Sequence, residues 1–232
     1  ILIMKELSKR NMSAYNVVVK QLESLFGIDD NEKVIVKRGV ELALESCDNC
    51  FSKINSKYYI DEGNGVLFNP FHSGQNTIFL YYLSRVLYVK SMADRSLLDK
   101  IYYLNRSLNS VDLFYEVDLP EVFHVDHPLG SVIGRAKFGK NFSFQQNCTV
   151  GNNKGIYPVL SENVVMLTGS TIVGKCFIGK NTIFGANSFI KDTDIPKNSI
   201  VVGRYPNHRV LPLNKEVADE YFDIFKSSHD IL

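Results

Sequence analysis

Three residues able to move a proton or hold an ion crowd into one short stretch, FHVDHPLGSVIG (123–134), which contains His124, Asp126 and His127. An imidazole changes charge between about pH 5 and 8, so it can act as a general base, a metal ligand or a hydrogen-bonded structural group. Residues three apart on a strand point to opposite faces, which sets His124 and His127 against sharing one ion. The remaining histidines, His72, His208 and His229, add no metal-ligand spacing, and no metal is expected. The choice between base and structural group depends on the elements that carry the stretch.

The chain after it repeats every six residues. Residues 160–195 divide into LSENVV, MLTGST, IVGKCF, IGKNTI, FGANSF and IKDTDI. The first position is always apolar: Leu160, Met166, Ile172, Ile178, Phe184 and Ile190. The fifth is Val164, Ser170, Cys176, Thr182 and Ser188, ending at Asp194. The same phase runs upstream through VIGRAK, FGKNFS and FQQNCT (132–149). Neither a strand of period two nor a helix of period 3.6 repeats at six; a parallel β-helix does. Each unit is a short strand and a turn, and three units close a triangular coil. The first position fills the interior and the fifth meets a crowded corner, so Cys148 and Cys176 are expected to be core thiols. Val150 and Leu160 stand ten apart instead of six. GNNKGIYP (151–158) must therefore leave the coil as a protruding loop, the usual place for function.

The first half reads helical. MKELSKRNMSAYNVVVKQLESLFG (4–27) and DDNEKVIVKRGVELALESCDNCFSKI (29–54) have apolar residues three and four apart. DEGNGVLFNPFHSGQN (61–76) reads as a loop, followed by helices in TIFLYYLSRVLYVKSM and DRSLLDKIYYLNRSLN, the latter capped by Asp94. The fold class is thus α+β: a helical oligomerisation and acceptor domain over 1–110, a β-helix over 111–210, and a tail with a short helix over 211–232. The lone C-x-x-C of Cys47 and Cys50 has neither a second pair nor a thioredoxin-like setting, so these are incidental thiols.

Bulk composition excludes several classes. Hydrophobic residues make up 45%, charged residues 22%, and the net charge is +1, which leaves no electrostatic footprint for nucleic acid. The longest apolar run, TIFLYYLSRVLYV (77–89), contains Arg85 and is too short to span a bilayer. The start has no secretory-signal shape, and a cytoplasmic location is expected.

The hexapeptides resemble those of left-handed β-helix acyltransferases, and the closest likeness is to serine acetyltransferases. It is carried by VDHPLGSVIG, QQNCTVGNNKGIYP, ENVVMLTGSTIVGKCFIGKNTIFGANSFI and IPKNSIVVGRYP, spanning about 114–206, with a looser match in NPFHSGQNTIFLYYLSRVL (69–87). The resemblance implies a homotrimer, or two trimers joined as a hexamer, with active sites between neighbouring prisms and acetyl-CoA as co-substrate. It implies His127 as the base. For the carboxylate orienting that base it offers Asp118 by local motif, Asp112 by gap-free counting, and Glu116 as an outside choice; Asp118 is preferred. Backbone oxyanion donors fall on Gly151 and Asn152. Main-chain contacts to the CoA arm fall on Thr168 and Ala186, and Lys191, Arg204 and Arg209 are candidates for its phosphates. A C-terminal isoleucine that docks cysteine synthase in the family is Leu232 here.

Two departures bear on the acceptor. Where serine acetyltransferases hold the amino acid with Asp-Pro and Arg-His-Pro, this chain has Asn69-Pro70 and Ile156-Tyr157-Pro158. Asn69, His72, Gln75 and Tyr157 are uncharged hydrogen-bonding groups, with Asp126 beside the base. This mixture points first to a saccharide or nucleotide-sugar hydroxyl, as in the surface-polysaccharide O-acetyltransferases. Serine O-acetylation is the alternative, and a non-catalytic scaffold the second alternative.

Overall fold

The computed structural model describes residues 9–61 and 65–222. Four helices come first: α1 (Lys9–Phe26), α2 (Asp30–Phe51), α3 (Ser73–Val89) and α4 (Arg95–Asn109). Between α2 and α3 lies a small antiparallel pair, β1 (Ile60–Asp61) and β2 (Gly65–Val66). Asp29 and Glu32 close a reciprocal capping box on α2, and Asp94 caps α4 through the Leu97 N–H.

Helix α3 starts inside the expected loop, at Ser73. Its N-cap is His72, whose ring accepts from the Gln75 N–H, an uncommon residue in a role that Ser, Thr, Asp and Asn usually fill. Gly74 is required by packing: a methyl group there would lie 2.5 Å from the Val125 carbonyl oxygen. The residues that looked like breakers are thus a helix start pressed against a strand.

The second half coils as a parallel β-helix. Its first side stacks β3 (Asp112–Leu113), β5 (Val132–Ile133), β8 (Thr149–Gly151), β11 (Thr171–Val173) and β14 (Phe189–Lys191). The second stacks β6 (Lys137–Phe138), β9 (Val159–Leu160) and β12 (Phe177–Ile178). The third stacks β4 (Phe123–Val125), β7 (Phe142–Phe144), β10 (Val164–Met166), β13 (Thr182–Phe184) and β15 (Ser199–Val202). The first-position residues Leu160, Met166, Ile172, Ile178, Phe184 and Ile190 are buried inside the prism, as are Cys148, Ser170, Cys176 and Ser188. Upstream the expected phase slips by one: Ile133, not Val132, is level with Val150 and points inward. At the edge between the second and third sides, Asn141, Asn163, Asn181 and Asn198 all have φ of 55–58°. Asparagine tolerates this left-handed turn, and Asn141 and Asn181 also donate to the asparagine on the next coil.

Strand β16 (Arg209–Pro212) pairs antiparallel with β15, and α5 (Val217–Tyr221) follows. Leu213, Val217 and Phe222 cover Val165 and Ile183 on the outer face of the third side. Val132 on the first side and Val159 and Phe177 on the second stay exposed. Leu232 and His229 lie outside the described residues, and so do residues 4–8 of the first expected helix. No helix among the described residues is long and apolar enough to cross a membrane.

The helical half caps the open end of the prism. Strand β4 ends its sheet, and an unpaired edge would leave carbonyls without partners. Tyr81 Oη donates to the Val117 carbonyl at 2.8 Å and Tyr82 Oη to Glu121 at 2.8 Å. Cys50 Sγ reaches Phe123 at 3.3 Å and Tyr59 Oη reaches Val125 at 3.0 Å. The C-x-x-C is thereby accounted for: both thiols are fully buried, and burial pushes Cys50 up to about 11.

Candidate active site

His127 sits on the edge between the third and first sides. Six residues (126–131) join β4 to β5 there, against four (145–148) at the same edge of the next coil. The two extra residues push the His127 corner out of the wall. His127 has φ of 52°, and its side chain is 70% exposed, with Nε2 3.5 Å from Asp126 Oδ1. A non-glycine residue in this conformation is a marked feature, and such positions concentrate at functional sites.

The register stacks the expected cofactor residues on this same edge. Gly169 N–H donates to the Gln146 carbonyl and Asn187 N–H to that of Thr168, which places Gln146, Thr168 and Ala186 in one column. Arg204 continues it, with Nη1 3.4 Å from the Asn187 carbonyl and its guanidinium over the Phe189 ring. Arg209 pairs with Val202 at the same end. Thr168, Ala186, Arg204, Arg209, Asp126 and His127 are therefore brought together along one edge.

Gln145, which sequence reasoning missed, links the column to Asp126, beside His127. Its Oε1 accepts from both the N–H and the hydroxyl of Thr168 at 3.0 Å, and its Nε2 lies 3.5 Å from Asp126 Oδ2. Its signal in the sequence is its place directly after the buried β7.

Gly151, Asn152 and Lys191 stand elsewhere. Gly151 is level with Val173 and Lys191 at the edge between the first and second sides. There the expected loop leaves the coil as a tight hairpin, with Asn153 and Ile156 exchanging two hydrogen bonds of 3.0 Å. Asn152 Oδ1 accepts from Gly155, and Tyr157 lies against Gly134. Within one chain, the first side separates these groups from His127.

The carboxylate assignment needs correction. Asp118 ion-pairs with Arg85, and its side chain is 82% exposed. Six residues preserve the inward–outward phase but move a third of a turn round the prism. Asp118 therefore stands about a third of a turn beyond Asp112, which pairs with Val132 just after the His127 corner. Glu116 is engaged with Arg135. Asp112 lies under the His127 corner: its N–H donates to the Ser131 carbonyl at 2.8 Å, and Tyr102 Oη holds its Oδ1 at 2.8 Å.

Above Asp126 the start of α3 forms a wall. Asn69 Oδ1 accepts from Phe71 N–H at 2.9 Å, and Gln75 bridges the Asn69 N–H and the Tyr58 carbonyl. His72 is flanked by the rings of Tyr58 and Tyr59. His124 packs edge-on to Tyr59, with Nδ1 3.3 Å from Ser143 Oγ. Burial pulls the His124 imidazole down to about 4, against the opposing attraction of Asp126. His124 is therefore neutral through the working range of a base and does not duplicate His127. Among the described residues no three His, Cys, Asp or Glu side chains gather as a metal site.

No family model matches the chain. The serine acetyltransferase of Bacillus pumilus is 27% identical over 158 residues, covering 63% of this chain and 68% of that protein. That of Staphylococcus xylosus is 26% identical over 162 residues, covering 65% and 70%. The Neisseria gonorrhoeae serine acetyltransferase structure superposes with a TM-score of 0.71 over 96% of this chain and 87% of that one, at 20% identity. The chain resembles the serine acetyltransferases in sequence and shares their fold. The left-handed β-helix expected from the hexapeptides is thereby confirmed. Another similar structure, a serine acetyltransferase in complex with CoA, has a TM-score of 0.62 at 18% identity.

Proposed function

We propose that the protein is an acetyl-CoA-dependent O-acetyltransferase, with His127 as general base and serine as acceptor. The observation that carries it is the single edge on which the register places His127, Thr168, Ala186 and Arg204. The imidazole takes the proton of the acceptor hydroxyl as its oxygen attacks the thioester carbonyl; the thiolate of CoA leaves and recovers that proton. Such a base contributes about 10²–10⁴ in rate. Asp112 orients the imidazole, and Asp126 receives the ammonium group of serine. The CoA arm follows the Thr168–Ala186 column toward Arg204 and Arg209.

Serine takes precedence over a saccharide because the relatives reported above are all named for it. A saccharide hydroxyl is the second reading, favoured by the uncharged Asn69 and Tyr157. The separation of Gly151 and Asn152 from His127 supports a trimer in which a neighbouring prism brings its loop to the base. The exposed Val132, Val159 and Phe177 on the two uncovered sides support the same assembly. Thiol release from acetyl-CoA, measured against serine and a panel of nucleotide sugars, tests the acceptor. Turnover of serine supports the first reading; turnover of a nucleotide sugar alone replaces it with the second. Failure to bind CoA by calorimetry returns the chain to a scaffold.

A further inference from the structure

The residues that would hold an amino acid's two charges in the resembling family are absent from the matching positions here, yet the wall above Asp126 is rich in donors. His72 Nδ1 is committed as an acceptor, taking the Gln75 N–H at 3.3 Å to cap α3. A ring nitrogen that accepts carries no proton, so the neutral imidazole bears its hydrogen on Nε2 and presents a donor. Asn69 Oδ1 is likewise committed, to the Phe71 N–H, which leaves its Nδ2 as a donor. Both free groups therefore suit oxygen acceptors and oppose an ammonium group.

The His72 ring lies close to the strand end that precedes the acid. A methyl group placed on Gly74 would lie 2.5 Å from the Val125 carbonyl oxygen and 3.3 Å from His72 Cε1. The half-buried His72 ring is thus next to the backbone that leads directly into Asp126 and His127. Tyr58 and Tyr59 hold the ring from two sides, at centroid separations of 5.8 Å each.

We propose that His72 Nε2–H, with the Asn69 side-chain amide, receives the carboxylate of an amino-acid acceptor whose ammonium group lies on Asp126. This rests on the serine reading above and specifies how serine is gripped without an arginine. A hydrogen bond to a charged group, when lost, costs roughly tenfold to a hundredfold in binding.

The test compares L-serine with L-serinamide, which keeps the hydroxyl and amine but lacks the anionic carboxylate. His72→Ser retains a good N-cap and removes the distant donor. The unaltered protein is expected to favour serine over serinamide by at least about tenfold in kcat/KM. His72→Ser is expected to raise KM for serine about tenfold or more with little change in kcat, and to leave serinamide nearly unchanged. His72→Asn, which keeps both a cap and a donor, is expected to recover part of the preference. An unchanged serine-to-serinamide ratio in His72→Ser overturns the inference while leaving serine acetylation standing. Absence of serine turnover by the unaltered protein overturns the serine reading and this inference with it.

Discussion

Thr168 donates twice to Gln145 Oε1, from its backbone N–H and its hydroxyl, each at 3.0 Å. The pair turns the Gln145 amide nitrogen toward Asp126 and so joins the expected cofactor column to the residue beside the base. Gln145→Leu keeps the volume near constant and removes the link. It is expected to lower kcat/KM about tenfold with the folded state retained, as measured by steady-state thiol release and circular dichroism. Unchanged kinetics would show that Asp126 holds its place unaided.

Tyr59 binds the helical half to the strand that leads into the His127 corner. Tyr59→Phe strands the buried Val125 carbonyl, which Gly74 already approaches closely. A loss of about 1–3 kcal/mol in unfolding free energy is expected from urea titration. A midpoint equal to that of the parent would mean another donor takes over.

His124 makes stability depend on pH. Its native imidazole lies near 4 against an ordinary value of 6.5, so the native state binds fewer protons than the unfolded chain in that window. Its contribution is fully present above 6.5 and is lost as pH falls toward 4, with a slope of up to about 1.4 kcal/mol per pH unit. Asp126 and His72, which face it, act in opposite directions on the same proton. Urea midpoints between pH 4 and 7 should show this slope, and His124→Leu should flatten it. A slope that survives the substitution would place the titration elsewhere.

The two aspartates should behave differently. Asp112→Asn is expected to cut acetyl transfer about a hundredfold, because the imidazole loses its orienting partner. Asp118→Asn is expected to stay within about twofold, since that carboxylate meets Arg85 on a surface where single ion pairs contribute little. Equal losses would undo the distinction.

The interior of the prism was legible because a period of six is a property of the coil itself. Leu160, Met166, Ile172, Ile178, Phe184 and Ile190 could be assigned inward with no partner known. Asp118 misled because a six-residue step leaves the phase intact while changing the side of the prism, which only the strand register fixes. The start of α3 was hidden by a histidine N-cap and by Gly74, whose reason is the Val125 carbonyl fifty-one positions later in the chain. The donors to β4 and to the segment before it, Cys50, Tyr59, Tyr81 and Tyr82, carry no local signal, because each is defined by a distant carbonyl.

The role of His127 is tested most directly by His127→Ala in a thiol-release assay with acetyl-CoA and serine, alongside calorimetric titration with CoA. The exposed corner imposes no packing role on this side chain, so folding and CoA binding are expected to persist. Acetyl transfer is expected to fall at least about a hundredfold. Transfer at the unaltered rate by the substituted protein would contradict its assignment as the base.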